Sequence, residues 1–154
     1  MKNYFLLLLI TVGLVTGCDK DDDDDVIQES DIATQILGTW ITIDNSYEYF
    51  DQRRIKIYEE PLDQSDLGVL YTFDNKGNIR VQRGGLDEND NYTISSTDNK
   101  NYINFLRSDA SLEIVSISDS EMVLSAVYLE DEYHEDGEAK IAPMAVYTVT
   151  FRKQ

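Results

Sequence analysis

The chain has one cysteine, Cys18, and one histidine, His134. A single thiol makes no internal disulfide and no cysteine-rich zinc site. Any nucleophile–imidazole pair has to be built around His134. Basic residues are few: 13 Lys and Arg stand against 30 Asp and Glu, for a formal net charge of −17. Nucleic-acid binders need a basic face to displace counterions, so this balance argues against a nucleic-acid partner. Proline is scarce at 2 residues, and glycine stands at 8. The longest apolar stretch, within residues 4–15, falls short of the ~20 residues of a spanning helix. No nucleotide-binding loop, serine elbow or metal-histidine spacing occurs.

What is present starts at the N-terminus. Lys2, the apolar stretch and the small residues Thr16 and Gly17 have the layout of a secretory signal over residues 1–17. The tetrapeptide Val15-Thr16-Gly17-Cys18 resembles the bacterial lipoprotein box. That resemblance implies cleavage between Gly17 and Cys18, diacylglycerol on the Cys18 sulfur and a further acyl chain such as palmitate on the new amino group. Only a thiolate is nucleophilic enough to take the lipid, and several acyl chains suffice for stable membrane anchoring. Residues 18–30 then form an acidic tether, opening with Asp19, Lys20, Asp21, Asp22, Asp23, Asp24 and Asp25. This run resembles the export signal of surface lipoproteins in Bacteroidetes-type bacteria. It implies an outer-membrane protein displayed at the cell surface; the alternative is a plain spacer in the periplasm.

Residues 31–154 form the remaining domain, with 23 acidic and 11 basic side chains. Asp31 is placed to cap a short helix through Ile32, Ile36 and Leu37, ended by Gly38. Beyond it the apolar pattern alternates. Eight short strands are expected, at 39–44, 69–73, 78–82, 92–95, 102–105, 112–117, 122–129 and 145–152. Residues 55–58 are either a ninth strand or part of a long first loop. Consecutive hairpins without helical crossovers predict an all-β, antiparallel up-and-down barrel. Val69, Tyr71 and Phe73 share its inner face with Ile79 and Val81, Tyr92 and Ile94, and Ile103 and Phe105.

Gly38-Thr39-Trp40, Tyr71-Thr72-Phe73-Asp74-Asn75-Lys76-Gly77, Tyr92-Thr93-Ile94, Met122-Val123-Leu124 and Tyr147-Thr148-Val149-Thr150-Phe151-Arg152-Lys153 follow in order. Together they resemble the bacterial lipocalin-like lipoproteins over residues 36–153. The resemblance implies an eight-stranded lipocalin-like barrel with a short N-terminal helix. It also implies that Trp40 plugs the closed end and that Arg152 lies over its ring as a cation–π lid. Thr42 departs from the pattern: either Ile41 and Ile43 face the core, or the barrel is polar at that level.

The segment 130–138, which contains His134, is dense in acids and reads as a solvated rim loop or, less simply, a Ca²⁺ site. Asp87-Glu88-Asn89-Asp90-Asn91 has the rhythm of a calcium loop but has Tyr92 where glycine is required. No metal ligand set and no cofactor is assigned. Tyr47, Tyr49, Phe50, Tyr58, Tyr128 and Tyr133 are placed to ring the mouth. Tyr71, Phe73, Phe105, Leu124, Ala126, Tyr128, Tyr147 and Val149 are the candidate ligand-lining residues. The expected function is non-enzymatic binding of a small apolar or neutral ligand, sugars included, by a protein tied to the membrane through its lipid. The alternative is an envelope interaction module whose filled barrel meets a protein or glycan through its loops.

Overall fold

The computed structural model describes residues 29–60 and 64–154. The expected signal, Cys18 and the acidic run at 19–25 lie outside the described residues. After a helix α1 (Glu29–Gln35) come nine strands: β1 (Gly38–Phe50), β2 (Lys56–Glu59), β3 (Leu70–Phe73), β4 (Asn78–Arg83), β5 (Leu86–Thr97), β6 (Lys100–Phe105), β7 (Ala110–Ile117), β8 (Glu121–Glu135) and β9 (Glu138–Lys153). Every pairing is antiparallel. Strands β1 and β3 to β9 follow one another around the sheet, and β9 returns to pair with β1 from Trp40↔Lys153 to Phe50↔Met144. The result is a closed eight-stranded barrel of lipocalin-like type, with β2 as an extra strand outside it. Closure satisfies the edge groups that an open sheet would expose. No helix among the described residues is long and apolar enough to cross a membrane.

Alternation sets the inner face, and a bulge resets it once. Trp40 and Thr42 point inward and are buried, whereas Ile41 and Ile43 are half-buried on the outside. The register on β9 slips between Thr42 and Asp44, so one extra residue on β1 carries Asn45, Tyr47 and Tyr49 onto the inner face. The barrel is therefore polar at the level of Thr42, whose hydroxyl is 3.5 Å from the Val69 carbonyl oxygen.

One end is sealed. Ile32 and Ile36 of the α1 region are fully buried against Trp40, Ile79, Ile103 and Met122. The Trp40 indole N–H donates to the Ile36 carbonyl at 2.7 Å. Beside it, Asp74 holds the β3–β4 turn by accepting the backbone N–H groups of Lys76 and Asn78 at 2.8 and 2.9 Å. The helix begins at Glu29, earlier than expected, so Asp31 lies in its first turn and is not its cap. An acid there still complements the helix dipole.

The cation over Trp40 is Lys153, with its Nζ 4.9 Å from the ring centroid, and not Arg152. Register decides this: Lys153 is opposite Trp40 and shares the inward phase of Phe151, whereas Arg152 is opposite Ile41 and exposed. The same ammonium donates to the Gln35 carbonyl at 2.8 Å, tying the last strand to α1.

At the other end β8 and β9 outgrow the barrel. The segment 130–138 is no loop: β8 runs to Glu135, β9 starts at Glu138, and only Asp136 and Gly137 turn between them. Both have positive φ, as a two-residue hairpin turn requires. Together with the upper part of β1 and with β2, they make a four-stranded flap above the mouth. Glu130 is left-handed (φ 55°) and faces Pro143, which cannot donate. Beyond that point Tyr133 and Ala142 occupy the face that Tyr128 and Ala145 hold below. Tyr49, Tyr133, Ala142 and Ala145 form a second small core, with Tyr47 and Tyr58 against it.

Candidate functional site

The barrel encloses a cavity of about 560 Å³ that opens beneath the flap. Its lower wall is mostly apolar and built from the inward phase of four strands, Phe73 on β3, Ile79 on β4, Leu124 on β8, and Val149 and Phe151 on β9, with Thr42 of β1 as a polar exception. The aromatic–aromatic contacts here are edge-on, Tyr71 against Phe151 at 5.2 Å and Phe73 against Tyr92 at 5.1 Å. Edge-to-face geometry is a favoured arrangement for packed aromatic pairs.

Seven of the eight candidate lining residues meet at this cavity: Tyr71, Phe73, Phe105, Leu124, Tyr128, Tyr147 and Val149. Ala126 is the exception. It is paired with Tyr147 across the β8–β9 ladder but is not among the residues that line the cavity. Of the expected mouth aromatics, Tyr47, Tyr49, Tyr58, Tyr128 and Tyr133 share ring contacts. Phe50 does not join them, because it is out of phase with Tyr49 and lies opposite Met144 on the outer face.

The mouth is charged, which sequence reasoning missed. Asp66, Arg83, Glu88, Asp90 and Arg107 all line it. Glu88 and Asp90 face in because β5 starts at Leu86 and keeps the phase of Tyr92 and Ile94; they are paired with the inward Val81 and Ile79 of β4. Asp90 spans the place where β5 leaves β4 for β6. Its carboxylate accepts the backbone N–H of Arg107 at 2.8 Å and of Asn91 at 2.6 Å. Arg83 is neutralised by Asp66 at 2.5 Å. Glu88 and Arg107 are left at the rim without an ion-pair partner among the described residues. A signal did exist: positions 88, 90, 92 and 94 form one alternating series. The density of Asp and Asn at 87–91 hid it by resembling a turn.

Burial governs the phenols at this level. It pushes the Tyr147 hydroxyl up to about 12, with the neighbouring Tyr71 and Asp66 adding to the effect. Tyr71 is raised by burial too, and Arg83 partly opposes it. Higher on the flap, Tyr47 and Tyr49 are pushed up first by burial and next by donating to Asp131 (2.6 Å) and Glu60 (2.8 Å). All four stay neutral donors at physiological pH. Asn45, across the ladder from Val149, keeps a buried Nδ2 with no hydrogen-bond partner among the described residues.

His134 is exposed on the flap, 3.9 Å from Glu132. Among the described residues no group of three or more His, Cys, Asp or Glu side chains is placed to hold a metal ion. An apolar cup of this volume with a few converging polar groups is the usual form of a small-molecule site. Comparison with known proteins finds no matching family model and no matching curated protein.

Proposed function

We propose that this chain is a lipid-anchored, surface-displayed, non-enzymatic binding protein that holds a small, largely apolar ligand in its lipocalin-like barrel. The observation that carries the reading is the cavity of about 560 Å³, mostly apolar below, where Thr42 is the polar exception, and charged at its mouth. An eight-stranded barrel is just wide enough to be filled by its own side chains or to hold one small guest. Here the space left inside, about 560 Å³, falls within the ~300–1,000 Å³ range of ligand pockets. The apolar body would lie against Phe73, Leu124 and Val149, with its polar end among the mouth residues. Acylation at Cys18 and export directed by Asp21 to Asp25 would hold the protein at the cell surface.

Titration with a neutral apolar fluorophore tests the cavity, with Trp40, the only tryptophan, as energy donor beneath its floor. One saturable site per chain with energy transfer from Trp40 is expected. Binding of neutral glycans alone would move the site to the flap tyrosines, and no binding of either at millimolar concentration would sink the reading. For the anchor, Cys18→Ser should abolish palmitate labelling; persistent labelling refutes it, because no other thiol exists. For display, replacing Asp21 to Asp25 with Ser should protect the protein from protease added to intact cells. Equal digestion of both forms would reduce the run to a spacer.

A further inference from the structure

The charged mouth adds a preference to the cavity, and this inference rests on the binding reading above. Its five charged side chains divide unequally. Asp66 and Arg83 cancel each other in a 2.5 Å pair. Asp90 has no ion-pair partner among the described residues, and its Oδ1 accepts the backbone N–H groups of Arg107 and Asn91. Glu88 and Arg107 have no ion-pair partner among the described residues, so the mouth carries one net negative charge. The domain around it, residues 31–154, has 23 acidic against 11 basic side chains, so the field over the opening has the same sign.

A second feature points the same way. Tyr128 and Tyr147 line the opening on the side of the flap. Tyr128 lies parallel to Tyr47, with ring centroids 5.9 Å apart and 12° between the planes, and is still 43% exposed. An aromatic side chain is thus partly exposed at the mouth. Ring faces and unpaired carboxylates both attract a cationic nitrogen and repel an anion. The apolar wall beneath suits the hydrocarbon attached to it.

We propose that the barrel selects amphipathic cations, in which an apolar body enters the cavity and an ammonium group stays at the mouth between Glu88, Asp90 and the ring of Tyr128. Glu88 is the specificity-determining carboxylate, because neither an arginine nor a backbone amide occupies it. Arg107 opposes the preference and limits its size.

The test uses the full chain carrying Cys18→Ser, so that no acyl anchor competes for the barrel. Octyltrimethylammonium and octanoate below their micelle concentrations, and octanol below its solubility limit, are titrated by calorimetry. The ammonium compound is expected to bind about tenfold more tightly than octanol, within the reach of one cation–π contact and one screened charge. Octanoate should bind more weakly than octanol. Glu88→Gln should remove most of the ammonium compound's preference over octanol measured on the same variant, and Arg107→Gln should widen that preference. Glu132→Gln makes the same change in net charge on an exposed flap position and should alter none of the three. Octanol or octanoate binding as tightly as the ammonium compound overturns the proposal and leaves the cavity reading intact. An effect of Glu132→Gln equal to that of Glu88→Gln also overturns it, by assigning the preference to the overall field. Failure of all three to bind overturns both.

Discussion

Removing the ammonium above Trp40 tests how the barrel is sealed. Lys153 makes two contacts that a methionine of similar shape would lose. One is the cation–π contact at 4.9 Å from the indole centroid, which contributes ~0.5–2 kcal/mol. The other is its hydrogen bond to the Gln35 carbonyl at 2.8 Å; bonds from charged donors contribute ~1.5–3 kcal/mol. Lys153 is half-buried, so the lower ends apply, and Lys153→Met should cost about 2 kcal/mol. Arg152 is exposed and faces away from the indole, so Arg152→Met should change stability by less than ~0.5 kcal/mol. Trp40→Ala empties a fully buried site and removes the bond to Ile36, with an expected cost of ~3–5 kcal/mol. A domain of ordinary stability has only ~5–15 kcal/mol in total. Guanidinium unfolding followed by circular dichroism gives all three values, provided the denaturant slope is unchanged. In a double-mutant cycle, Lys153→Met and Trp40→Phe should each cost less in the presence of the other if ring and ammonium interact. If Arg152→Met costs as much as Lys153→Met, the β1–β9 register, and with it the closure of the barrel, is wrong.

Gly38 has φ +114°, and a Cβ there would stand 3.3 Å from Lys153 Cε, so Gly38→Ala should cost more than ~1 kcal/mol; an unchanged melting temperature would show that the helix-to-strand joint is lax. Asn45→Val replaces a buried, unpartnered amide with an apolar β-former. It should stabilise the protein by ~1–2 kcal/mol in denaturant unfolding, and a destabilised variant would mean the amide is satisfied. Alkali should weaken the fold from pH 10 upward. Tyr147 ionises near 12 when folded against 10.0 when unfolded, so in that window the native state holds the extra proton. Stability is complete below pH 10 and falls as the pH rises to 12, with Tyr47 and Tyr49 acting in the same direction. Ultraviolet titration beside unfolding curves checks this, and stability flat to pH 12 would contradict the buried phenols.

Much of the barrel was legible along the chain. Alternation at Val69, Tyr71 and Phe73, at Ile79 and Val81, and at Tyr147, Val149 and Phe151 identifies inward residues, because a strand has period two and a barrel has one dry face. Seven of the eight proposed lining residues do meet at one cavity. A local pattern suffices where neighbouring strands are joined by tight turns, since each hairpin sets its own register.

What the sequence leaves open is non-local or non-periodic. Whether Arg152 or Lys153 covers Trp40 depends on pairing between the first and last strands, and the single-residue bulge near Ile43 resets the phase without any compositional mark. The acidic segments 87–91 and 130–138 look like loops because strands are poor in Asp, Glu and Asn. Only their ladders with β4 and β9 make them extended, and only those ladders place Glu88 and Asp90 in the mouth. Composition and alternation, which act over a few residues, determined a β-barrel with a particular apolar lining. Its charged opening and tyrosine flap were decided by tertiary pairing, because hydrogen bonds between distant strands override the preference of acidic residues for turns.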